Sequence, residues 1–78
     1  MANEKLRRLF LEIVETQVKT GDPAIVRETL GRLMKNGHSR DESVRLIGTA
    51  LAGEVYDVLK SHQPYDEERY TAALNSLE

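Results

Sequence analysis

Ser39 to Pro64 reads SRDESVRLIGTALAGEVYDVLKSHQP, and the fold follows from how that stretch begins, repeats and stops. Ser39 with Glu42 makes a capping box, in which the serine side chain takes the amide of Glu42 while the glutamate reaches back to the amide of Ser39. Val44, Ile47, Leu51, Val55, Val58 and Leu59 then recur at helical spacing. The helix stops near His62, ahead of Pro64, because a proline disfavours helical backbone at the residue before it. At 1.5 Å rise per residue such a helix is roughly 34 Å long. Gly48 falls on its apolar stripe, where a mid-helix glycine costs about 1 kcal/mol against alanine, so close approach of another helix is the expected compensation. Leu46 and Ala50 lie off that stripe, so the helix offers apolar surface to more than one side, as a central helix or a dimer seam does.

Working outward, Leu6, Leu9, Phe10, Ile13, Val14 and Val18 form the stripe of a first helix that Gly21 ends. Asp22 and Pro23 read as N-cap and first position of a second helix, because proline lacks only a donor that is orphaned there anyway. That helix runs to about Asn36 with the stripe Val26, Leu30, Leu33 and Met34, and Gly37 supplies the left-handed residue after it. Downstream, Asp66 caps a short last helix with the stripe Tyr70, Ala73, Leu74 and Leu77, and Tyr65 can staple onto Tyr70. No segment alternates with period two, no linker divides the chain and no repeat recurs. The expectation is one all-α domain over residues 1–78, with four helices, a long third and a short fourth.

A chain of 78 residues buries roughly 60% of its unfolded surface, so its core is small. With no cysteine and no zinc-site spacing, helix packing or self-association must supply the stability. Eleven basic and thirteen acidic residues give a net charge of −2, which is not the footprint of a phosphate-binding protein. The charge is uneven: residues 1–45 carry nine Lys/Arg against seven Asp/Glu, whereas residues 46–78 carry two against six. No apolar run approaches the roughly 20 residues a bilayer crossing needs, and Met1 to Lys5 lacks an export pattern, so a cytoplasmic location is expected.

The residues that bear chemistry have structural readings beside functional ones. Gln17 sits within the apolar arc of the first helix, where a buried amide needs partners, either in the core or on a ligand. His38 precedes a cap and His62 ends the long helix, and neither belongs to an HExxH-type ligand pair. Asp41 with Arg45 and Asp57 with Lys60 have the spacing of helical ion pairs, as do Glu4 with Arg8, Glu15 with Lys19 and Glu28 with Arg32. Glu54, which borders the apolar arc, is the exception among the acids. Leu33 to Leu51 has the helix, turn and helix order of a DNA-reading motif, but Asp41 and Glu42 would face phosphates, and Ser43 stands where an apolar contact belongs. Arg7, Arg8, Arg27, Arg32 and Lys35 offer a basic patch or, more simply, a solvated face.

Ile13 to Val18, Arg32 to Glu42 and Pro64 to Tyr70 together resemble a bacterial all-helical family of uncharacterised function. That family commonly carries histidines flanking the capping-box helix and opening the first; here Asp41 and Arg45 occupy the former positions. A weaker likeness, through Leu33 to Gly37 and Ser39 to Glu42, is to ubiquitin-associated three-helix domains, whose helices are much shorter than the one from Arg40. No catalytic, cofactor-binding or metal-ligating residue is put forward. The expectation is a non-catalytic module that works through a protein partner or self-association, with Gln17, Leu46, Gly48 and Ala50 as interaction or packing residues. A small-molecule or metal site drawing on Gln17, Glu54, His38 and His62 is the first alternative. Weak nucleic-acid binding through the basic N-terminal half is the second.

Overall fold

Four helices form where the apolar periodicity and the stop signals place them. A computed structural model of the chain describes residues 4–78, with α1 at Glu4–Thr20, α2 at Ala24–Lys35, α3 at Arg40–Ser61 and α4 at Glu67–Asn75. The expectations that concern Met1 to Asn3 lie outside the described residues. At 22 residues α3 is the longest element, and it packs against all three others, while α2 also packs on α1 and α4. No helix among the described residues is long and apolar enough to cross a membrane.

The helix ends show which caps the chain uses. The Ser39 hydroxyl accepts from the Glu42 amide at 3.0 Å, and Asp66 Oδ1 accepts from the amides of Glu68 and Arg69. The reciprocal half of the capping box does not form, because the Glu42 carboxylate turns instead to His38 Nδ1. Asp22 does not cap α2: Pro23 is the cap itself, with ψ at 147°, so the helix opens at Ala24 and no side chain serves its first amides. After α2, Gly37 at φ 105° completes a Schellman motif, with the His38 amide on the Leu33 carbonyl and the Gly37 amide on that of Met34. His62 ends α3 in the left-handed region at φ 57°.

One core joins Val14 of α1, Val26, Leu30 and Leu33 of α2, Val44, Ile47 and Leu51 of α3, and Tyr70 and Leu74 of α4. Each fully enclosed leucine or isoleucine among these contributes about 1.5–3 kcal/mol of burial. Four expected stripe residues, Leu6, Leu9, Met34 and Leu59, are exposed. Met34 is exposed because α2 turns Thr29 rather than Met34 inward, along the Val26, Thr29, Leu30 and Leu33 line. Leu9 is half-exposed on α1. Leu59 is 71% exposed, because it lies beyond Glu54, the last buried residue of α3, and off the side on which Val55 still packs against the core.

Candidate functional site

The buried acid borders α4. Glu54, only 4% exposed, accepts from Arg69 Nε at 3.1 Å and Nη2 at 2.9 Å and from the Asp66 amide at 2.9 Å. Arg69 beside it holds its carboxyl below the usual carboxylate range, against the opposing pull of burial. The same turn is tied to α1: Tyr70, fully buried, donates its phenol to Gln17 Oε1 at 2.9 Å. Burial raises the Tyr70 pKa, so this hydroxyl is a donor throughout the physiological range. The bond spans two helices that otherwise barely meet, and it gives Gln17 the structural partner its place in the arc requires. Tyr65 lies edge-on to Tyr70 with ring centroids 6.2 Å apart, as a staple should.

Two arginines of α2 serve helix C-termini. Arg27 donates to the Val18 and Lys19 carbonyls at the end of α1, and Arg32 donates to the Leu74 and Leu77 carbonyls at the end of α4. Neither is therefore spare for a basic patch, and the expected Glu28 to Arg32 pair does not form. Among the described residues, ion pairs within 4 Å join Arg7 to Glu4, His38 to Glu42, Arg40 to Glu15 and Arg69 to Glu54. The expected pairs of Glu4 with Arg8, Glu15 with Lys19, Asp41 with Arg45 and Asp57 with Lys60 are absent from that set, because exposed side chains gain little from any one partner.

The proposed ligand-binding groups do not converge. His38 lies at the α2–α3 turn, where its two ring nitrogens meet Glu42 Oε1 and the main-chain oxygen of Glu78. Those two acceptors raise its pKa, the Glu78 oxygen most. His62 is exposed at the far end of α3. Gln17 and Glu54 are both occupied by the turn around Tyr70, and none of the four lines the trough between α1 and α3 or the hollow on α4. No group of three His, Cys, Asp or Glu among the described residues could hold a metal ion. Leu46 and Ala50 are half-buried and packed against the core, which gives both a place in the fold.

An apolar concave feature of the surface lies between α1 and α3. The two helices run antiparallel, since Arg40 at the start of α3 forks onto Glu15 while Leu6 and Ala52 line the same channel further along. Between them opens a trough of about 380 Å³ lined by Leu6, Arg7, Phe10, Leu11, Arg45, Gly48, Thr49 and Ala52. Gly48 is on the buried side of α3, and a Cβ there would touch Leu11 Cδ2 at 3.4 Å. That is ordinary contact, so α1 approaches through a side chain and leaves room for one methyl group. Sequence reasoning singled out Gly48 but missed Leu11, Ala52 and the trough. The repeat of small residues four apart, Gly48 and Ala52, was the available signal. Compared with protein-family models, with curated proteins and with solved structures, the chain finds no match in any of the three.

Proposed function

We propose that this chain is a non-catalytic interaction module of the cytoplasm that receives an apolar helix face of another protein in the trough between α1 and α3. The observation that carries the reading is the trough itself: an open channel with Leu6 and Phe10 one turn apart on one wall and Gly48 and Ala52 one turn apart on the other. Small residues on one helix let a third helix come close, and helix-in-groove recognition uses this combination of apolar wall and short side chains. The polar groups that could have served chemistry support the same reading, since Glu54 and Gln17 are committed to fastening α4.

A photo-crosslinking residue at Thr49, on the trough, tests this when compared with one at Asn75 on the outer face of α4. The expected result is a defined adduct from position 49 in native extract, absent from position 75 and lost when Ala52→Leu fills the channel. Identical adducts from both positions, or adducts indifferent to Ala52→Leu, would sink the reading. Self-association is a second reading, favoured by the exposed Tyr56 and Leu59 toward the C-terminal end of α3. It predicts a sedimentation coefficient that rises with concentration and falls back to the monomer value in Leu59→Glu.

A further inference from the structure

We propose that the helix received by the trough carries carboxylates beside its apolar stripe and belongs to a different protein rather than to a second copy of this chain. The inference rests on the docking reading above and names the partner's chemistry. Among the described residues, two arginines and no acid line the channel: Arg7 on the α1 side and Arg45 on the α3 side. Among the described residues Arg45 has no carboxylate within 4 Å, although Asp41 stands one turn before it, and its neighbour Thr49 donates to the Arg45 carbonyl. Among the described residues Arg7 pairs with Glu4, at 3.8 Å with both side chains largely exposed, a contact that a better-placed acid displaces readily. The apolar floor between two such cations is complementary to a hydrophobic anchor flanked by negative charge.

A second copy fits poorly. In a two-fold contact the same patch lies on both sides of the axis, so each trough would bring its own Arg7 and Arg45 against those of its mate, with no carboxylate in either lining. Using the acidic outer face of α4 as the occupant instead would be a head-to-tail contact, which leaves a free trough at one end and a free α4 at the other unless it closes a ring.

The test uses two labelled amphipathic peptides of about five helical turns, roughly 18 residues, with the same Leu and Phe stripe and either Glu or Lys beside it. Fluorescence anisotropy against the intact chain should show the Glu peptide binding at least about tenfold tighter at low salt, with the difference shrinking as salt shortens the Debye length below about 10 Å. The double variant Arg7→Glu/Arg45→Glu should reverse the preference, and Ala52→Leu should weaken both peptides alike. Circular dichroism confirms that each variant keeps its helices. Equal affinities, or a Lys preference, with Ala52→Leu still blocking, would overturn the acidic partner and leave the docking reading standing. Binding of neither peptide, or binding unaffected by Ala52→Leu, would overturn both. A dimer of the chain alone that Ala52→Leu dissociates would make the second copy the occupant and also overturn the inference.

Discussion

The two sides of α3 are built on different principles. Toward α4, the chain uses directed polar bonds at low exposure: Glu54 to Arg69 and the Asp66 amide, Tyr70 to Gln17, and Arg32 to the last carbonyls. Toward the outer half of α1, it uses apolar contact around Gly48 and leaves a channel. The fastened side fixes geometry, because each bond has one correct partner and a high penalty for losing it. Among the described residues the open side holds no such bonds between helices along the trough, and it is the side proposed to receive a partner.

The contrast is easiest to break at Glu54. Arg69→Met leaves a carboxylate enclosed without its cation, which at a partly solvated pair should cost about 3 kcal/mol. For a domain this short the melting temperature should fall by more than about 10 °C. The pH response should change as well. The Glu54 pKa lies below its ordinary value, so its contribution is present above the unfolded carboxylate value of about 4.3 and lost as pH falls through the folded value. Acidification should therefore destabilise the parent chain through this group, and melting curves of Arg69→Met should show that loss abolished or reversed.

Tyr70→Phe is the milder cut on the same side. It keeps the ring and strands Gln17 Oε1, at a cost of about 1 kcal/mol measurable by urea titration. An unchanged midpoint would mean that water replaces the phenol. On the open side, Gly48→Ala should act in the opposite sense. The new methyl meets Leu11 at ordinary contact distance and removes the glycine penalty, for a gain of up to about 1 kcal/mol. Stabilisation there with destabilisation at Tyr70 would sharpen the difference between the two sides; a loss at Gly48 would show that the channel floor is already tight.

The smallest effect is expected at His38. Its two hydrogen bonds raise its pKa, so the stability it adds is full below the unfolded value of about 6.5 and disappears as pH rises through the higher folded value. The melting temperature of the parent should exceed that of His38→Gln at pH 6 by more than it does at pH 9. A difference that grows with pH would mean that the histidine is not held as the cation.

What could be read beforehand was what depends on near neighbours in sequence. Ser39 and Asp66 cap because the amides they serve lie two or three residues on, and Tyr65 reaches Tyr70 for the same reason. Such contacts are fixed once a helix starts. The partners of Gln17 and Glu54 lie 53 and 15 residues away, and only the packing of α4 decides them, so periodicity could mark both side chains as unusual without naming what they meet. Arg27 and Arg32 were misread as surface charge because their ligands are carbonyls of other helices, which leave no trace in side-chain sequence. Asp22 failed as a cap for a local reason: extended backbone at Pro23 moved the helix start one residue on. The trough was hidden because a concavity is a relation between two helices, and each helix alone shows only half of it.

The ties that hold α4 end, for the most part, on main-chain atoms: the Asp66 amide, the Leu74 and Leu77 carbonyls and the Glu78 oxygen. Main-chain atoms are the same whatever residue carries them. The exposed positions of α4, Glu67, Glu68, Ala72 and Asn75, can therefore be rewritten in charge or in size, while Arg69, Tyr70 and Leu74 keep the helix seated. The short helix is a blank page bound firmly at its spine, and a recognition surface could be engineered there without disturbing the trough proposed to receive a partner.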